Sequence, residues 1–165
     1  MRIDMLVAFL LAAQATAAWS PPAQAAWSGK EPPVKVRIHA GTATMRGKAP
    51  IALDLTAITN SCSISPFLQP TRGIAFEVTS QNGTPVAPAA PMVGSPPPPP
   101  LATGELVALT AAKPYHVATN EDARSIFPGP GRYRVRARIF LFTTPEEPVR
   151  YAQLGSDTIT VNVTN

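Results

Sequence analysis

Four arginines, Arg132, Arg134, Arg136 and Arg138, stand at every second position of the stretch PGPGRYRVRARIF, which runs from Pro128 to Phe140. A guanidinium is planar, permanently charged and shaped to meet carboxylate or phosphate oxygens. Such a row is a candidate face for an anionic partner: lipopolysaccharide phosphates, an acidic polysaccharide or an acidic protein. The plainer alternative is a solvated strand face whose charges discourage edge-to-edge pairing. Nucleic acid is a poorer fit, because no exposed aromatic residues interleave with the arginines to stack on bases.

Other residue types that carry chemistry are sparse. His39 and His116 are the two histidines, and no Cys-x-x-Cys, His-x-x-x-His or acidic cluster accompanies either one. A zinc site is therefore not expected. Glu121 and Asp122 lack the glycine and the spacing of a calcium loop. Ser61, Cys62 and Ser63 are adjacent, with a distant histidine in either direction and no Gly-x-Ser-x-Gly turn. Cys62, the single cysteine, reads as a small buried apolar residue rather than a reactive thiol. It permits no intramolecular disulfide. The expectation is a chain with no catalytic residues, no cofactor and no metal.

The elements that must position the arginines are strands. VKVRIHA alternates, with Val34, Val36 and Ile38 on one face and Lys35, Arg37 and His39 on the other. IALDLTAI repeats this, with Ile51, Leu53, Leu55 and Ala57 inward. ITNSCSISPF reads as a turn region closed by Pro66. IAFEVTSQNG places Ile74, Phe76 and Val78 inward and ends in an Asn82-Gly83 turn. GELVALT and PYHVAT are shorter candidates, NEDARSIF suggests one helical turn capped by Asn120, and DTITVNV places Ile159, Val161 and Val163 inward. In the arginine strand, Tyr133, Val135, Ala137 and Ile139 line the core, so the arginines face water.

Neighbouring arginines on that face are about 6.6 Å apart. Each adjacent pair repels by roughly 0.6 kcal/mol in water, before salt screening. Burial of one core side chain is worth about 1.5–3 kcal/mol, so the fold carries the row easily. Cross-strand acids or hydroxyls would relieve the repulsion further. Glu77, Thr158 and Thr160 are the candidates on neighbouring strands.

The chain has 165 residues, a net charge of +4 and 20 prolines. Proline is costly inside helices and central strands, so loops with short strands between them are expected. From Thr84 to Leu101 the alternation stops, and PVAPAAPMVGSPPPPP suggests an extended polyproline-type loop. At the other extreme, Arg2 precedes an apolar run from Met5 to Ala13, followed by small residues. Nine residues are far short of the roughly 20 that span a bilayer. The layout is that of a secretory signal, cleaved after Ala17 or Ala25, rather than of a membrane anchor. A buried N-terminal helix is the alternative, but it would start uncapped and run into Pro21-Pro22.

Gly131-Arg132-Tyr133-Arg134-Val135 has the form Gly-x-Tyr-x-apolar and resembles the tyrosine corner of immunoglobulin-like sandwiches. Val135 stands where antibody domains have a cysteine, and Phe76 where they have a tryptophan. ITNSCSISPF and IAFEVTSQNGTPV are similar to the second-to-third strand region of exported bacterial immunoglobulin-like domains. The resemblance spans Val34 to Val163 and implies a fold, with no activity attached. The expected architecture is all-β: an antiparallel Ig-like β-sandwich of about seven strands with a long Pro-rich loop. Its parts are a signal peptide over residues 1–25, a flexible leader over 26–33 and the sandwich over 34–165, with the loop at 84–101. The expected function is that of an exported, periplasmic or secreted, non-enzymatic binding or accessory module of the cell envelope. It would have an unknown protein or anionic partner and no transmembrane anchor after cleavage. The alternative is a protease-inhibitor-like domain acting through the Pro-rich loop.

Overall fold

A computed structural model describes residues 34–58, 62–92, 105–144 and 150–165; for 62, 63, 140–144 and 150–152 it describes the backbone alone. The signal and leader segments, 1–25 and 26–33, lie outside the described residues, as does the second half of the Pro-rich stretch, 93–101.

The described chain is all-β. Its strands are β1 (Val34–Ala40), β2 (Ala43–Thr44), β3 (Ile51–Ala57), β4 (Cys62–Ile64), β5 (Gln69–Pro70), β6 (Gly73–Ser80), β7 (Val107–Leu109), β8 (Tyr115–Thr119), β9 (Gly131–Thr144) and β10 (Arg150–Thr164). One sheet has the order β1-β3-β8 and another the order β2-β10-β9-β6-β5; β4 and β7 form a separate pair. The long ladders are antiparallel, but the pairings at the two edges of the five-stranded sheet, β2 with β10 and β5 with β6, are parallel. Each covers two residue pairs, short enough for a connecting segment to turn along an edge without a crossover helix.

Alternation sets the registers. Val36 lies opposite Leu55 and Ile38 opposite Leu53, so inward residues of β1 meet inward residues of β3. Leu53 then meets Val117 of β8, and the Thr119 hydroxyl donates to the Ile51 carbonyl at 2.8 Å, which lets a hydroxyl lie in the core. In the other sheet Val78, Val135 and Ile159 form one cross-strand row, and Phe76 lies opposite Ala137. The inward residues of both sheets belong to one hydrophobic cluster, together with Leu68, Ile126 and Phe127 from the connections.

Three expectations need correction. ITNSCSISPF is not all turn, because Cys62–Ile64 pairs with Val107–Leu109 as β4. Its strand run is only three residues, too short for alternation to register. The helical turn is a 3₁₀ turn at Ala123–Ser125 capped by Asp122 rather than Asn120, the Asp122 carboxylate accepting from the Arg124 N–H at 2.8 Å. In the Asn82-Gly83 turn only Gly83 has a positive φ, 87°; Asn82 instead accepts the Thr84 N–H through its side-chain oxygen at 3.2 Å.

β10 is also longer than DTITVNV, and the reason is a bulge. Pairing with β9 jumps from Gly155 opposite Arg138 to Thr158 opposite Arg136. Leu154 is buried on one side of the jump, and Val161 and Val163 on the other, so the inward parity changes from even to odd. Ser156 is buried in the bulge, where its hydroxyl oxygen accepts the Ala137 N–H at 2.9 Å and donates to the Asp157 carbonyl at 2.5 Å. The Asp157 carboxylate accepts the Ile38 N–H at 3.0 Å. A single irregularity in one sheet thereby ties β1 of the other sheet to it.

Candidate functional site

All four arginines of the row are exposed on β9, while Val135, Ala137 and Ile139 are fully buried between them. Tyr133 is half-buried, its ring centroid 5.5 Å from that of Phe127 and its hydroxyl donating to the Gly129 carbonyl at 3.1 Å. Gly131 has a φ of 155°, and a Cβ there would lie 3.0 Å from the Tyr133 hydroxyl. Glycine is therefore required at the entry to β9, both for the backbone and for the ring that folds back over it. The Tyr133 bond fixes where the row begins.

The neighbours of the row come from both flanking strands. Glu77 and Thr158 lie opposite Arg136, Thr79 and Thr160 opposite Arg134, and Asn162 opposite Arg132. Glu77 reaches diagonally and forms an ion pair with Arg138. Arg136 lies across Gly155, where any Cβ would run into its guanidinium, and its Nε donates to the Ser156 carbonyl at 3.1 Å. The bulge and the glycine together hold this arginine flat against the sheet. Arg132 and Arg134 have no hydrogen-bonded or ion-paired partner among the described residues, and the hydroxyl-bearing Thr79 and Thr160 flank Arg134 on either side. The row is thus graded: neutralised at Arg138, engaged with backbone at Arg136, and free at the Tyr133 end. Glu77, Thr158 and Thr160 stand where the repulsion argument placed them.

A second constellation lies on the outer face of the three-stranded sheet. His39 Nε2 and His116 Nδ1 each lie 2.8 Å from a different oxygen of the Asp54 carboxylate. An ionised carboxylate only accepts, so each imidazole donates its N–H. The Asp54 carboxyl is held below its ordinary value of 3.8, chiefly by the hydrogen bond from His116 and then by His39, with partial burial opposing. Both imidazoles are more than half exposed, at 54% and 61%. Local sequence gave no warning of this cluster. Asp54 is 15 residues from His39 and 62 from His116, and only the β1-β3-β8 register brings them together. Their outward parity was the one available signal.

No set of three His, Cys, Asp or Glu side chains among the described residues is arranged to hold a metal ion. The Asp122 carboxylate is occupied as a helix cap, and Glu121 contributes its carbonyl to the Ala49 N–H at 2.9 Å. Cys62 sits on β4 opposite Leu109; the expectation that its side chain is buried lies outside what is described. Of the Pro-rich stretch, residues 84–92 are described. They run back beside β6, with the Val86 N–H donating to Val78 at 3.1 Å and the Ala89 N–H to Phe127 at 3.0 Å. The run from Pro96 to Pro100 lies outside the described residues. No helix of the described residues is long and apolar enough to cross a membrane.

Compared with protein-family models, curated proteins and solved structures, the chain has no match in any of the three.

Proposed function

We propose that the chain is an exported, non-enzymatic Ig-like binding or accessory module of the cell envelope, and that the outer face of β9 engages an anionic partner. The carrying observation is the graded arginine row, with Arg132 and Arg134 unpaired among the described residues and flanked by side chains that accept or donate hydrogen bonds. A face that served only to stay soluble would gain from interspersed acids. Here the acid on the face, Glu77, stands opposite Arg136 and pairs with Arg138, away from Arg134 and Arg132.

Two features support the Ig-like reading. Counting β1, β3, β6, β7, β8, β9 and β10 as the seven principal strands, the first, second and fifth share one sheet and the third, sixth and seventh the other. That is how Ig sandwiches distribute their strands. The Tyr133 hydroxyl bonds to a carbonyl four residues upstream, at the entry to the sixth of these strands, which is the geometry of a tyrosine corner. Export is supported by the N-terminal sequence.

The test is retention on immobilised heparin or lipopolysaccharide. Binding should fade with added salt and be lost in the Arg134→Glu, Arg136→Glu double variant. Equal retention of that variant would remove the arginine face from the account.

A further inference from the structure

We infer that the anionic partner of the β9 face is an extended acidic peptide segment with carboxylates at alternate positions, two of which meet Arg132 and Arg134. This rests on the reading of the arginine face as the binding face and names the chemistry of its partner.

The first argument is spacing. Arg132 and Arg134 are exposed on one face of β9 and have no hydrogen-bonded or ion-paired partner among the described residues. Their stems leave the strand about 6.6 Å apart. Each guanidinium meets one carboxylate through two parallel N–H donors, so two neighbours ask for two carboxylates at about the same separation. Acids at positions i and i+2 of an extended peptide have that separation by construction, because both chains share a rise of about 3.3 Å per residue. A helix brings acids at i and i+4 to a similar separation once, but its next acid has turned further around the axis. The arginines instead keep to one face of one strand through Arg136 to Arg138.

The second argument is that the molecule already holds one instance of this recognition. Glu77 is carried by an extended strand, β6, at the position opposite Arg136, and it reaches one step along the row to pair with Arg138. A carboxylate presented by an extended chain running beside β9 is thus a group the row accepts. At the unpaired end, Thr79 and Thr160 flank Arg134 on either side. Their hydroxyls both donate and accept, which suits the N–H and C=O groups of a peptide backbone. Charge alone would suit any polyanion; the shared repeat singles out a peptide.

The experiment is fluorescence anisotropy of labelled peptides titrated with the full chain at low salt, beside retention on heparin. The peptides share one composition of glutamate and serine and differ only in order, with glutamate at every second, every third or every fourth position. The alternating peptide should bind about five-fold more tightly than either of the others, the worth of one further matched pair. Arg132→Gln with Arg134→Gln should bring all three peptides to the same affinity. Glu77→Gln releases Arg138 and should tighten binding of the alternating peptide, a gain that loss of folding would not produce. Equal affinity for the three orders in the wild type, tighter binding of the every-fourth peptide, or a preference that survives the double variant would overturn the extended-peptide assignment and leave the arginine face to the heparin result. Heparin retention without peptide binding would do the same. Failure on both peptide and heparin would overturn both readings.

Discussion

The two outer sheet faces handle charge in opposite ways. On the five-stranded sheet, like charges run along a single strand, and relief comes late and from one end, through Glu77 and the backbone at Ser156. On the three-stranded sheet, each of three strands contributes one member of a compact cluster, and the Asp54 carboxylate satisfies both histidines at 2.8 Å. On the first face the acid Glu77 reaches one arginine of an unbroken row, whereas on the second the acid is taken up by the two histidines and Lys35 and Arg37 of β1 stay exposed beside them. What sets the β9 face apart is that its cations stand in one row along a single strand, with their acid at Arg138, rather than grouped around a carboxylate.

The comparison breaks most decisively if the inner and outer positions of β9 turn out alike. Val135 is fully buried, so Val135→Asp should cost on the order of 4 kcal/mol, read from chemical denaturation. A loss comparable to that of a surface variant would mean that the strand is wrongly oriented. Ser156→Ala leaves the buried Ala137 N–H without its acceptor and should cost about 2 kcal/mol by the same measurement. It should also loosen Arg136, whose partner is the Ser156 carbonyl, so heparin retention should change along with stability. Tyr133→Phe removes the bond to Gly129 while keeping the ring against Phe127, and about 1 kcal/mol is expected in thermal unfolding.

These particular residues also show what a reader of the sequence can and cannot see. The arginine row, the buried Val135 and the inward sets of β1 and β3 were legible, because a period of two along one strand is a local signal. Glu77, Thr158 and Thr160 were legible as neighbours once strand order was guessed. The bulge at Ser156 was not, since it interrupts the very alternation used to find strands, and β10 before it went unseen. The His39–Asp54–His116 cluster was hidden for a different reason: it depends on register across three strands separated by long connections. β2, β4 and β5, at two or three residues each, carry too few positions to show any period.

On the other face, the effect is smaller and shows in pH rather than in magnitude. The Asp54 pKa is depressed in the folded state, so the stabilisation is complete above the ordinary carboxylate value of 3.8 and is lost as pH falls through the folded value. Asp54→Asn should therefore flatten the acid limb of stability against pH, below about pH 4, and leave heparin retention near neutrality unaltered. An unchanged acid limb would detach the histidines from Asp54 in solution. The smallest effect belongs to Arg134→Ser, which should shift thermal unfolding by less than about 1 kcal/mol because the side chain is exposed and unpaired.

That same arginine allows the most direct test of the idea that unpaired guanidinium groups on β9 form the binding face. Heparin affinity can be titrated against salt for the wild type, for Arg134→Gln and for Arg132→Gln with Arg134→Gln. Each free arginine that contacts the polyanion should contribute about one to the slope of log affinity against log salt, so the slope should fall in two steps while the folding midpoint stays put. An identical slope in all three proteins would contradict the account.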